Sequence, residues 1–198
     1  MNLLAHAYLS FNDADILAGN MISDFVKGKK KFSYSLNIQK GIQLHRLIDQ
    51  FTDTHPQTAK AKEFFRPQYR LYSGAFVDVV YDHFLAIDAT QFDAFGGLEK
   101  FTHITYGLLE GNMASLPATF QHMFPYMKSQ NWLYNYRLNE GMRNAFGGLV
   151  RRAAYLNESA IAYKLFMEHY NELGNCYNNF FPSLKQYAEK NLSNLMHE

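Results

Sequence analysis

The residues best equipped for chemistry lie between Gly41 and Asp53, in the run Gly-Ile-Gln-Leu-His-Arg-Leu-Ile-Asp-Gln-Phe-Thr-Asp. His45 and Asp49 are four apart, so on a helix they stand nearly one above the other. Thr52 shares their face. Leu44, Ile48 and Phe51 form the neighbouring stripe, and Ile38 and Ile42 continue the His45 side. An imidazole and a carboxylate flanked by apolar residues are poorly solvated. Such a carboxylate needs a hydrogen-bond donor, a cation or a metal. The reading adopted is a metal.

Three further anomalies support it. Asp78 and Asp82 are four apart on a helix that is apolar on nearly all sides, where like charges repel strongly and a divalent cation would relieve them. Asp24 stands among Met21, Ile22, Phe25 and Val26, with Asn20 one turn back on its face. His6 sits in the apolar opening Leu3-Leu4-Ala5-His6-Ala7. Together His6, Asp24, His45, Asp49, Asp78 and Asp82 offer nitrogen and oxygen ligands from four helices. The lack of a thiolate in the set argues against a structural cysteine-type zinc site. Mixed imidazole and carboxylate ligation suits Mn²⁺, Fe²⁺ or Mg²⁺, and Zn²⁺ is compatible. The use of such a site is water activation and phosphoryl stabilisation. The competing reading is a non-catalytic binding protein whose buried carboxylates pair with Arg46, Arg137 or Arg143. Asp53, His83 and Asp88 lie off the expected faces and read as supporting or structural.

The bulk numbers limit the class. At 198 residues the chain is long enough for one domain with a real core. Lys+Arg 19 against Asp+Glu 18 gives +1, which argues against a nucleic-acid binder with a wholly basic surface. A lone cysteine, Cys176, excludes an internal disulfide framework and fits a reducing cytoplasm. No apolar run nears the ~20 residues of a membrane span, and no secretory signal is evident. The counts of Phe 17 and Tyr 14 predict a core built on aromatics.

The elements that must position these residues read as helices throughout. Sustained alternation and hairpin dipeptides are missing. The expected helices run about Asn2 to Leu9, Asn12 or Asp13 to Val26, and Ser35 to just before Pro56. A short one follows around Phe64 and Phe65. The next run about Tyr69 to Leu85 and Phe92 to Leu109. Pro117 opens another. The spacing of Trp132, Tyr136, Met142 and Phe146 continues to Gly147-Gly148. The last two run about Ser159 to Leu173 and Pro182 to Leu195. Gly96-Gly97 and Gly147-Gly148 read as helix stops. The expectation is an all-α, compact single-domain bundle over residues 1–198. Lys27, Lys29, Lys30 and Lys31 form a basic loop three residues after Asp24, read either as a solvated turn or as a docking patch. Lys60, Lys62, Arg66 and Arg70 would extend it.

These blocks also carry a resemblance. The opening Met-Asn-Leu-Leu-Ala-His-Ala-Tyr-Leu-Ser, the run Gly19 to Gly28, the run Gly41 to Asp49 with Thr52-Asp53, and Asp78-Val-Val-Tyr-Asp82-His83-Phe84-Leu85 occur in the order found in the acyl-carrier-protein phosphodiesterase family. Trp132-Leu133, Tyr136-Arg137 and Phe180-Phe181-Pro182 are similar to its later blocks. The resemblance implies a divergent HD-domain-like phosphohydrolase, manganese-dependent, that removes 4′-phosphopantetheine from a serine of acyl carrier protein. It places the metal on His45, Asp49 and Asp82, with Asp24 or Asp78, while His6 ligates or shuttles a proton. Lys27, Lys29, Lys30, Lys31 and Arg46 would receive the acidic carrier. The adjacent His-Asp dipeptide of the HD motif is here split into His45 and Asp49. An HD-type phosphohydrolase acting on a nucleotide or another small phosphodiester is the nearest alternative.

Overall fold

The computed structural model describes residues 1–197, and among these every regular element is helical. There are eleven α-helices: α1 Leu3–Tyr8, α2 Ala14–Ile22, α3 Leu36–Thr54, α4 Pro56–Tyr69, α5 Ser73–Ile87, α6 Leu98–Asn112, α7 Ala118–Ser129, α8 Trp132–Asn135, α9 Asn139–Arg152, α10 Ala160–Glu168 and α11 Tyr170–His197. Short 3₁₀ turns fill several joints, including Ser23–Phe25 and the lysine-bearing Gly28–Ser33.

Local sequence explains the main boundaries. Asp13 caps α2 by accepting from the Asp15 and Ile16 amides at 3.0 and 2.9 Å. The Ser35 hydroxyl accepts from the Ile38 amide at 3.4 Å and opens α3. Helix α1 is different: its Asn2 side chain makes no cap and instead donates to the Tyr136 hydroxyl at 3.0 Å. At 6 residues α1 is too short to persist alone, so its stability comes from what it docks against.

The pair α2 and α3 packs backbone against backbone. A Cβ on Gly19 would overlap the Ile38 carbonyl oxygen and sit 2.9 Å from Gly41 Cα; a Cβ on Gly41 would overlap the Ile16 carbonyl oxygen and sit 2.9 Å from Gly19 Cα. Only glycine at both positions permits this approach, which brings Asn20 onto His45. The rest of the core is aromatic, as expected: Phe65, Phe76, Tyr81, Phe146, Phe166 and Phe180 are fully enclosed.

Several boundaries differ from expectation, three of them at glycine or proline. Helix α4 runs 14 residues and carries Pro67 inside it, in place of a short element around Phe64. Gly147-Gly148 lie within α9 and do not stop it; the helix ends at Arg152 with Ala153 extended. Pro182 lies inside the 28-residue α11 and does not start it. Interior glycine costs a helix about 1 kcal/mol and proline about 3 kcal/mol. Burial of Phe146 in α9, and of Phe180, Phe181 and Leu184 in α11, offsets such costs.

Candidate metal centre

Four of the expected residues converge, from three directions. Helix α1 brings His6, α3 brings His45 and Asp49, and the 3₁₀ turn after α2 brings Asp24. His6 Nε2 is 3.2 Å from Asp49 Oδ1, and His45 Nε2 is 3.0 Å from Asp49 Oδ2 and 3.3 Å from Asp24 Oδ1. Ligand atoms of His6, His45 and Asp49 all lie within 4.8 Å of one another. Both rings are buried, while the Asp49 side chain is 38% exposed and that of Asp24 is 81% exposed. The cluster is therefore walled on one side and open at Asp24, which is not enclosed as its apolar neighbours suggested.

The other ring nitrogens are committed. His6 Nδ1 lies 2.8 Å from Asn20 Oδ1, and His45 Nδ1 donates to the Asn20 carbonyl oxygen at 2.7 Å. Neither Nε2 has a partner in hydrogen-bond geometry, despite the short distances to carboxylate oxygens. A lone pair facing a carboxylate is repelled unless a proton or a cation stands between them. Burial, and then the charge of His45, lower the His6 pKa to about 4. Burial opposes charge on His45 as well, but the nearby carboxylates of Asp24 and Asp49 overcome it and raise that pKa to about 9. Asp49 is buried enough to resist ionisation, yet the two imidazoles hold its carboxyl far below the usual range. Asp24 is lowered chiefly by the His45 imidazole beside it. Two unpartnered imidazole nitrogens and two carboxylates converging in this way fit a divalent cation by number and donor type. No guanidinium reaches Asp24 or Asp49 among the described residues. Arg46 donates to the Val26 carbonyl at 3.4 Å, and Arg137 and Arg143 lie over Tyr134 and Tyr163.

Asp78 and Asp82 are not joined to each other by a shared site. The Met1 α-ammonium lies 3.1 Å from Asp78 and 3.3 Å from Asp49, a link between α5 and α3. Burial opposes its charge, but Asp78 and Asp49 raise the ammonium pKa to about 10. Asp82 is fully buried and turns both oxygens onto the start of α1. It accepts from the Leu4 amide at 2.7 Å, the Ala5 amide at 3.2 Å and the Asn2 amide at 3.4 Å. Burial raises its pKa to about 7 against the pull of those amides. Asp82 thus caps the helix that carries His6, a positioning task in place of the direct ligation expected. Repulsion between the two carboxylates is relieved by an ammonium on one and helix amides on the other.

The residues off the expected faces find partners away from the cluster. Asp53 pairs with Lys62 at 2.8 Å, and His83 bridges the Tyr136 carbonyl and the Tyr170 hydroxyl at 2.8 and 2.9 Å. Asp88 accepts from Thr90 and Gln91. Lys62, Arg66 and Arg70 line a groove of about 560 Å³ that also includes Asp53 and Asp78. Two contributors escape a reading of spacing alone. Asn20 is visible only as a polar residue on the Asp24 face, and the Met1 amine carries no side-chain signal at all.

With this geometry in place, comparison with known proteins is specific. Residues 1–184 match the family described as acyl carrier protein phosphodiesterase. The acyl carrier protein phosphodiesterase of Photorhabdus laumondii is 30% identical over 189 residues, covering 96% of this chain and 96% of the relative. The proteins of that name from Salmonella paratyphi A and Enterobacter sp. are each 30% identical, covering 96% of this chain and 98% of the relative. No solved structure matches. No described helix is long and apolar enough to cross a membrane. The match spans α1, α2 and α3, which carry or lead into the cluster, and α5, which braces α1, and the chain belongs to the acyl carrier protein phosphodiesterase family.

Proposed function

We propose that this chain is a divalent-ion-dependent phosphodiesterase that removes 4′-phosphopantetheine from the serine of holo-acyl carrier protein. The names of its relatives supply the substrate. The observation that carries the chemistry is the pair of unpartnered Nε2 atoms facing Asp49.

His6, His45 and Asp49 would hold the ion, with Asp24 at its open edge. Mn²⁺ is the proposed ion, with Mg²⁺ and Fe²⁺ as alternatives. When bound, such an ion acidifies water and neutralises charge on the phosphoryl oxygens. His6 is buried with Nδ1 committed to Asn20 and Nε2 turned to the cluster, which suits it to serve as a ligand. Asp24 has one oxygen against His45 and the other toward solvent, which suits it to orient the attacking water. That water's oxygen bonds to phosphorus as the bond from phosphorus to the serine oxygen breaks, and the proton the water loses is balanced by one taken up from solvent by the departing serine oxygen. The products are the carrier with a free serine hydroxyl and free phosphopantetheine.

Lys27, Lys29, Lys30 and Lys31 follow directly on Asp24, in the Gly28–Ser33 turn and its entry. Phe32 and Leu36 beside them are 65% and 74% exposed. Four cations edged by two apolar side chains suit an acidic protein surface with apolar contacts of its own, and Arg46 lies behind them against Val26. The test is incubation with holo-acyl carrier protein and Mn²⁺, followed by intact mass measurement. Loss of the phosphopantetheine mass is expected. An unchanged carrier with Mn²⁺, Mg²⁺ and Fe²⁺ each supplied would overturn the proposal.

A further inference from the structure

We propose that Asn20 is a positioning residue that holds both imidazoles of the cluster by their Nδ1 atoms and so turns both Nε2 atoms toward Asp49. This rests on the hydrolase reading above and adds to it the residue that sets the geometry.

Asn20 is fully buried in the last turn of α2. Its side-chain amide is oriented without ambiguity. Nδ2 donates to the His6 carbonyl oxygen at 2.9 Å and to Ser10 Oγ at 3.1 Å, while Ser10 Oγ itself donates to the same carbonyl at 2.8 Å. The opposite orientation would set Oδ1 against that carbonyl, acceptor on acceptor. Oδ1 is therefore the atom facing His6 Nδ1 at 2.8 Å, and His6 must carry its proton on Nδ1. Its Nε2 then presents a bare lone pair.

The backbone of the same residue does the parallel job for His45. Carbonyls in a helix's last turn run short of donors along the helix. The Asn20 carbonyl accepts from His45 Nδ1 at 2.7 Å, across the contact that Gly19 and Gly41 permit. One residue thus registers two rings from different helices, which stack at 3.9 Å and 14°. Partners of this kind, one bond behind a ligand, fix its tautomer and aim.

The wild-type protein without metal, labelled with ¹⁵N-histidine, tests the assignment directly by long-range ¹H–¹⁵N spectra. His6 is expected to carry its proton on Nδ1 at pH values where the ring is neutral; a neutral ring with its proton on Nε2 would overturn the proposal whatever any variant does. Asn20→Ala removes the side-chain acceptor and leaves the backbone one. It should give His6 a mixed tautomer and leave His45 Nδ1 protonated. Mn²⁺ affinity by calorimetry should fall about 10- to 100-fold, and kcat should fall more than KM changes. Unaltered His6 spectra and Mn²⁺ affinity in a folded Asn20→Ala protein would overturn the proposal as well. Failure of the wild-type protein to take up any divalent ion would instead sink the hydrolase reading, with the tautomer judged separately by the spectra.

Discussion

His6 and His45 stack face to face, with ring centroids 3.9 Å apart and planes inclined by 14°. The two residues stand 39 positions apart in sequence, on α1 and α3. Two imidazoles so placed cannot both be charged without cost, and burial together with His45 holds His6 neutral. In the proposed site the stack would divide the work: His6 would offer a lone pair, and His45 would exchange a proton for a cation.

Asp49 is the residue both rings address, so Asp49→Asn tests the cluster with the least change in shape. Losing a ligand should cost more than the about 10- to 100-fold typical of an outer partner. Mn²⁺ titration by calorimetry and carrier hydrolysis by mass measurement should fall together. Retention of both would remove Asp49 from the site.

Asp82→Ala leaves the Leu4 and Ala5 amides buried without an acceptor. The cost expected is about 2–6 kcal/mol in urea unfolding, from roughly 1–3 kcal/mol per stranded group. Asp82→Asn retains one acceptor oxygen and should lose less. Activity should follow the integrity of α1 across the two variants.

Gly19→Ala and Gly41→Ala each force a methyl into backbone of the facing helix. Overpacking of this sort costs typically 1–3 kcal/mol and more where backbone must move. Thermal melts should show a large drop for each. Because the two clashes share one contact, the double variant should lose less than the sum.

Lys29, Lys30 and Lys31 changed together to Glu should cut carrier turnover at least about tenfold at low salt, with the gap closing as salt rises. Hydrolysis of a small phosphodiester should be unaffected. Equal loss on both substrates would argue against docking.

His55 supplies a pH dependence outside the cluster. Its Nδ1 accepts from the Gln57 amide at 3.2 Å and caps α4, which requires the neutral ring. Burial holds its pKa below the ordinary value. As pH falls, the unfolded chain therefore takes up this proton before the folded one. The contribution is full above the ordinary histidine value and is lost as pH falls through the lower folded value. Urea midpoints at about pH 8 and about pH 5 should differ more for wild type than for His55→Asn, whose amide caps at either pH.

Much of the cluster is legible in the chain. His45 and Asp49 share a face by simple helical spacing, and His6 and Asp24 stand out as polar residues in apolar runs. Asp78 and Asp82 are misleading for a tertiary reason. Their partners are an amine and backbone amides nearly eighty positions away, and main-chain groups leave no mark in residue types. The reach of α4 and α11 past Pro67 and Pro182 is hidden for an energetic reason, since proline's local cost is visible and the burial that offsets it is not. Gly19 and Gly41 look like ordinary helix glycines until the two helices are brought together.

The six-residue α1 is held by a carboxylate from α5 and brings one of the two imidazoles with it. A segment this short detaches in a local opening that costs less than unfolding the whole bundle. Warming should therefore silence the enzyme some degrees before its far-ultraviolet circular dichroism collapses, and a bound divalent ion should narrow that interval by tethering the first helix to the third.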